Sequence, residues 1–328
     1  MDFTDSQLME LVCRWIGPSK EFLFPAGKPR TITDTTDFFR VEYNDILVLE
    51  GRPFLIRNNE KEGRFGIDEQ PKFWVKRAID LLDGSVKIIK LVFHEHFKAR
   101  AGPLTFECVR SPLKEARVIA LASSHPNLMH GFSARDSRGN LVRVVDYIFG
   151  RKLEEHIAAT DKKTHIEYFH SSFPQILREF IESAGAIKFL HDNREIHGDI
   201  RRDHLIKDRD TGRLRWIDFD FTYDHPENRF GYDIFGLGNV LIFIAGGGDI
   251  TIQRLRAENP EAFSRLSPGD VNIIFGNRVA NLGKLFPYMP EAMNRVLLHF
   301  SAGTDVFYEE TGHFLDDLVE AENSLRGA

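Results

Sequence analysis

Ile196-His197-Gly198-Asp199-Ile200-Arg201-Arg202-Asp203-His204-Leu205-Ile206 and, shortly after it, Trp216-Ile217-Asp218-Phe219-Asp220 carry most of the chemical information in this chain. The first sets a histidine and an aspartate in a tight glycine-bearing loop. Two short apolar runs follow, Leu205-Ile206-Lys207 and Leu214-Arg215-Trp216-Ile217. They flank the turn residues Arg209-Asp210-Thr211-Gly212, so the pattern predicts a hairpin. Asp199 and Asp218, nineteen positions apart, then fall at the edges of one small hairpin. One acid beside a hydroxyl nucleophile and one beside a divalent metal meet the needs of phosphoryl transfer, which rests on positioning and on neutralising phosphate charge. Taken singly, either acid reads as a solvated surface residue; the pair, framed by apolar runs, points to a site.

Outward from this stretch, the pattern predicts three parts. Residues 1–45 form an extension with a short helix, in which Thr4, Asp5 and Ser6 offer cap oxygens before Leu8, Leu11, Val12 and Ile16. A turn-rich loop from Gly17 to Pro29 follows. Residues 46–148 read mostly as strands: Ile46 to Leu49, Phe54 to Ile56, Phe73 to Val75, and a hairpin turning at Asp83-Gly84. One helix, Leu113 to Leu121, is stopped by His125-Pro126-Asn127, and Leu141 to Ile148 is a further strand. Residues 149–328 read as a larger helical part, with Ile166 to His191 helical, Pro174 a kink or a first turn, and helices over Asp233 to Ala245 and most of the chain from 249 onward. The fold class expected is α+β.

The 328 residues carry 43 basic and 49 acidic side chains, a net charge of −6, which gives no global pull toward nucleic acid or anionic membrane. Two cysteines, Cys13 and Cys108, cannot build a disulfide framework and favour a reducing, cytoplasmic setting. The opening Met1 to Asp5 has no signal-peptide core, and the longest apolar run, Val240 to Ala245, is too short to span a bilayer. The histidines show no ligand spacing with cysteines, so zinc is not expected. The 28 phenylalanines, against 7 tyrosines and 3 tryptophans, favour plain core over a base-stacking surface.

With these residues in view, the chain resembles the protein-kinase superfamily over roughly residues 50 to 320. His197-Gly198-Asp199 with His204 is similar to the catalytic loop H-R/G-D-x-x-x-x-N, and Asp218-Phe219-Asp220 to D-F-G. Val86-Lys87-Ile88-Ile89-Lys90 resembles the V-A-I-K strand, Glu115 the helix glutamate that pairs with its lysine, and Asp146-Tyr147-Ile148 the segment whose backbone receives adenine. Asp233-Ile234-Phe235-Gly236-Leu237-Gly238 is similar to D-x-W-S-L-G, whose aspartate anchors the catalytic loop. Lys61-Glu62-Gly63-Arg64-Phe65-Gly66 resembles the phosphate-covering loop, with Lys61 at its first glycine; an ordinary turn is the alternative.

The resemblance implies a two-lobed fold, a small strand-rich lobe and a larger helical one, with a nucleotide cleft near residue 148. It implies transfer of the γ-phosphoryl group of ATP, with Mg²⁺, to a hydroxyl, most simply protein Ser/Thr. Asp199 would orient or deprotonate the acceptor, and Arg201 would steady the γ-phosphate. Asp218, with His204 as a second ligand, would hold metal. Lys90, paired with Glu115, would clamp the α- and β-phosphates, aided by Gly63 and Gly66. Departures keep two other readings open. The metal-binding asparagine is His204, which also resembles the heptose kinases of lipopolysaccharide core, and the D-F-G glycine is Asp220. Only fourteen residues separate Asp218 from Asp233, without A-P-E. A small-molecule or saccharide kinase fits the short segment, and a nucleotide-binding pseudokinase acting as an interaction module fits the substitutions. The short segment also implies a constitutively formed site that needs no modification of Thr222 or Tyr223.

Overall fold

The computed structural model describes residues 3–17, 30–62, 70–101, 104–160, 164–224 and 228–326. Gly63, Gly66 and most of the loop up to Pro29 lie outside the described residues. The chain divides into two compact units. One comprises Met1–Glu95, Arg110–Ser123 and Met129–Ile148, the other His96–Val109, Ser124–Leu128 and Phe149–Ala328. The fold is mixed, α+β, as the alternating and helical periodicities require.

The first unit opens with α1 (Asp5–Ile16), capped by Thr4, whose hydroxyl accepts from the Gln7 N–H while the Gln7 side chain reaches back to the Thr4 amide. Leu8 and Val12 on its buried face pack on Ile46, Leu55 and Leu81. A seven-stranded sheet follows, built from β1 (Thr31–Ile32), β2 (Ile46–Leu49), β3 (Arg52–Glu62), β4 (Gln70–Asp80), β5 (Val86–Lys90), β8 (Gly131–Arg135) and β9 (Leu141–Asp146), in the order β1-β2-β3-β4-β5-β9-β8. Its inner face buries Leu47, Phe54, Ile56, Ala78, Ile89, Val142 and Val144. Helix α2 (Pro112–Ala122) starts where Ser111 caps it and Pro112 supplies a preset first turn.

The β8–β9 turn is tied by Asp136, whose carboxylate accepts from the amide and hydroxyl of Thr35 and from the backbone and side chain of Asn140. Burial pushes this carboxyl up, but those hydrogen bonds outweigh it and hold it at about 2. Being depressed, it stabilises the fold above about pH 4 and loses that contribution as pH falls toward 2. Asp136→Asn is therefore expected to cost about 2 kcal/mol at neutral pH and to flatten the acid limb of the stability curve, read by denaturant titration across that range.

The second unit contains the hairpin β6 (His96–Ala101) and β7 (Leu104–Arg110), whose strand β7 also pairs with β13 (Phe221–Asp224). Residues 96–109 lie within the stretch expected to form the small lobe, yet they group with this unit. A second small sheet joins β10 (Gly150–Lys152), β11 (Leu205–Asp208) and β12 (Leu214–Trp216). The helices are α3 (Leu153–Ala158), α4 (His165–Ser171), α5 (Phe173–Asp192), α6 (Gly231–Ala245), α7 (Ile252–Glu258), α8 (Pro260–Ser264), α9 (Glu291–Leu298) and α10 (Thr311–Arg326). Pro174 begins α5 in its first turn instead of kinking one long helix, because its missing N–H costs nothing there. The expectation of helix over most of the chain from 249 fails between 265 and 290. There turns and isolated bridges such as Val271–Val279 gather around Asp270, which accepts from Ser267, Asn281 and Lys284. Among the described residues no helix is long and apolar enough to cross a membrane.

Candidate active site

Within the first unit, Lys90 ends β5 and meets Glu115 from α2, with both side chains buried. Four residues after its cap Ser111, Glu115 is carried inward on the face that also buries Val118 and Ile119. Its second oxygen takes a bond from Nε of Arg143, 3.0 Å away on β9. Arg143 is 1% exposed and also donates to the carbonyls of Leu141 and Leu91. Sequence reading missed it, although a lone cation inside Leu141-Val142-Arg143-Val144-Val145 is the signal of a buried charge that needs a partner. The three candidate adenine positions separate: the Asp146 amide donates to His130, and the Tyr147 amide to Val86. Ile148 N–H has no partner among the described residues, so it alone of the three amides is left for a ligand.

In the second unit, α5 delivers the chain into Ile196–Asp199 and β12 delivers it into Asp218–Asp220. His197 is fully buried, edge-on to Trp216 and Phe219, and its Nδ1 accepts from the Asp199 amide. Asp233, at the start of α6, latches this loop. Its carboxylate accepts from the amides of His197 (2.7 Å) and Gly198 (2.8 Å), and from Nε2 of His191 (3.1 Å). Burial pushes its carboxyl up, but the His191 bond, the neighbouring His191 and His197 rings and the Gly198 amide hold it below the usual aspartate range. Gly198 has a φ of +88°, and a Cβ placed on it would lie 1.9 Å from the Phe221 carbonyl oxygen. Only glycine permits that approach.

Asp199 thus projects from a rigid loop. Burial raises its carboxyl above the ordinary value; the neighbouring His204 ring and the charge of Arg201 oppose this, and the charges of Asp220 and Asp218 add to it. The four groups the sequence singled out here do converge. Arg201 Nε lies 3.5 Å from Asp199 Oδ1, His204 Nδ1 lies 3.4 Å from Asp199 Oδ2, and His204 Nε2 lies 3.5 Å from Asp218 Oδ2. Asp218 holds a left-handed φ of +64°, uncommon for a residue with a side chain.

The partners of His204 fix its ring. Arg201 can only donate, so Nε2, 2.6 Å from its guanidinium, accepts; Nδ1 then carries the hydrogen and donates to the Asp199 carbonyl at 2.9 Å. In this arrangement Arg201 takes the lone pair that a metal would need. His204 therefore fits a loop-holding role better than that of a metal ligand. Asp218 fits Mg²⁺ as a single hard carboxylate, since Mg²⁺ usually completes its shell with water and phosphate oxygens. Among the described residues no three His, Cys, Asp or Glu side chains converge as a metal site.

Tyr223 is 5% exposed, and its hydroxyl accepts from the Asp233 amide. It is built into the latch and is not offered for modification. A cavity of about 790 Å³ in the same unit is lined by His191, Phe230, Ile234, Phe300, Tyr308 and Thr311, but by none of Asp199, Asp218 and His204.

No protein-family model matches the chain. Among curated proteins, 150 residues, 45% of the chain, are 25% identical to a putative ribosomal protein S6 kinase alpha-2 of Caenorhabditis elegans, over 17% of that protein. A similar stretch of 155 residues is 25% identical to the liver/testis phosphorylase b kinase gamma catalytic chain of Bos taurus, over 34% of it. A shorter one of 113 residues is 30% identical to a putative protein kinase C delta type homolog of Drosophila melanogaster, over 15% of it. The matches thus span no more than 34% of the length of these relatives.

Proposed function

From a chain that is protein-kinase-like, as its partial matches to several kinases indicate, we propose an ATP-dependent phosphotransferase that passes the γ-phosphoryl group to a hydroxyl, in first place a protein Ser/Thr. The observation that carries the reading is the convergence of Asp199 and Asp218 on a loop latched by Asp233. Asp199 orients the acceptor hydroxyl and takes its proton. Arg201 lies against Asp199 and presents positive charge to the transferred group. Asp218 holds Mg²⁺, which when bound neutralises phosphate charge. Lys90, fixed by Glu115, binds the α- and β-phosphates, and Glu115 is itself fixed by Arg143. Ile148 N–H offers the base a hydrogen-bond donor.

A second reading, a small-molecule or saccharide acceptor, is favoured by the burial of Phe221 and Tyr223, which withdraws both side chains from any platform for peptide. Thermal stabilisation by ATP with and without Mg²⁺, run beside a screen of protein, sugar and aminoglycoside acceptors, separates the readings. Label on protein Ser/Thr supports the first and label only on small acceptors the second. Mg²⁺-dependent stabilisation without label anywhere would leave a pseudokinase.

The raised Asp199 carboxyl sets a pH dependence. A base must be ionised, so activity rises with pH through its folded value. The acid limb of kcat/KM is expected above 3.8, the ordinary aspartate value. A limb at or below that value, measured with a saturable acceptor, would remove Asp199 as the titrating base.

A further inference from the structure

The hairpin β6–β7 is inserted in the sequence between the strand that carries Lys90 and the helix that carries Glu115, and the proposed chemistry makes no use of it. Yet β7 is the strand neighbour of β13, the four residues that follow Asp218-Phe219-Asp220. A strand of that length cannot satisfy its own backbone groups, and its sheet is β13-β7-β6, so the hairpin supplies its ladder. Ring packing from both strands of the hairpin adds to this pairing. Phe97 stands edge-on to Phe221 at 5.2 Å and Phe106 edge-on to Tyr223 at 5.8 Å; Phe106 also lies 5.1 Å from Tyr232. Phe106 and Cys108 share a buried cluster with Ile196 and Tyr223.

β13 in turn touches the catalytic loop at one point and the residue that latches it at another. The Phe221 carbonyl occupies the space that only Gly198 leaves open, and the Tyr223 hydroxyl accepts from the amide of Asp233, the latch residue. A continuous set of contacts therefore runs from the hairpin through β13 to Gly198 and Asp233. We infer that the hairpin 96–109 is the built-in ordering element of this site, with Phe106 and Phe97 as positioning residues that hold β13 against the catalytic loop. The order that a longer segment would obtain from a charge-adding modification is supplied here by a strand of the same chain. The catalytic half of this inference rests on the proposed phosphotransfer; the ordering half does not.

The test uses the full chain with Phe106→Ala, Phe106→Leu, Phe97→Ala and, as a remote control in the first unit, Phe39→Ala. Amide hydrogen exchange is followed at 221–224 and at His197 and Gly198. Phe106→Ala is expected to speed exchange at both places by about tenfold or more while the amides of β2 to β5 keep theirs. Phe106→Leu should return most of the protection, Phe97→Ala should show the same pattern more weakly, and Phe39→Ala should show none of it. In turnover, kcat should fall by about tenfold or more with KM for ATP within about threefold of the parent. Unchanged exchange at His197 and Gly198 in folded Phe106→Ala would overturn the inference. Should that variant unfold, the same result in Phe97→Ala would overturn it. A parent chain without phosphotransfer defeats the catalytic reading alone, and the exchange data still decide the role of the hairpin.

Discussion

Asp233→Ala is expected to be the most destabilising single change in the second unit. The carboxylate it removes is fully buried and is the acceptor for His197 N–H, Gly198 N–H and His191 Nε2. Each orphaned donor costs about 1–3 kcal/mol, and breaking a buried charged network by deleting one member costs about 3–5 kcal/mol. A domain typically has only about 5–15 kcal/mol to lose. The denaturant midpoint should fall by a corresponding amount with little change in slope. Asp233→Asn keeps one acceptor oxygen but turns an NH₂ group toward donors, so it should fall between parent and Ala. Because the folded carboxyl is depressed, its contribution is present above the unfolded aspartate value and fades as pH falls through the folded one. The Ala variant should therefore lose part of the parent's acid dependence. A midpoint within about 0.5 kcal/mol of the parent would mean that Asp233 is not the latch.

Gly198→Ala should do nearly as much damage, and its effect should show in rate as well as in stability. Two penalties coincide at this position. A φ of +88° is strained for any residue with a Cβ, and the new methyl would sit 1.9 Å from a backbone oxygen that cannot swing away. The strain costs about 1–3 kcal/mol, and relief of the clash must move Phe221 or the loop itself. A displacement of about 1 Å next to Asp199 is enough for about a hundredfold loss of phosphotransfer. Gly139→Ala is the matched control, since its φ is +83° with nothing within 4 Å of the added carbon. It should pay the strain alone and keep its rate. Equal rates in Gly198→Ala and the parent would show that the contact with Phe221 is not needed.

The acidic loops were legible because their chemistry is local. A His-Gly-Asp loop, a turn-bearing hairpin and a second acid can be read from adjacent residues, and here Asp199, Arg201, His204 and Asp218 do come together. The helix Leu113 to Leu121 was legible for the same reason, from its run of helix formers and the stop at His125-Pro126-Asn127. What stayed hidden depends on distant partners. Arg143 looks like an interruption in an apolar strand until Glu115 arrives from a different element to pair with it. The hairpin 96–109 carries a period-two signal in Phe106 and Cys108, but its partner strand β13 lies more than a hundred residues away. His204 could be placed near metal by spacing alone, whereas the competing bond from Arg201 exists only in three dimensions. The region 265–290 contains helix formers, yet it is organised by the side chain of Asp270 and not by periodicity.

Asp199 carries the proposed chemistry. Single-turnover transfer from γ-labelled ATP, with Mg²⁺ and the acceptor found in the screen, compares the parent with Asp199→Asn, which keeps the shape of the side chain and removes the base. The parent should transfer label. Asp199→Asn should be slower by about 10² to 10⁴ while keeping the parent's ATP-dependent thermal stabilisation. Equal rates in the two proteins would contradict the assignment of the site.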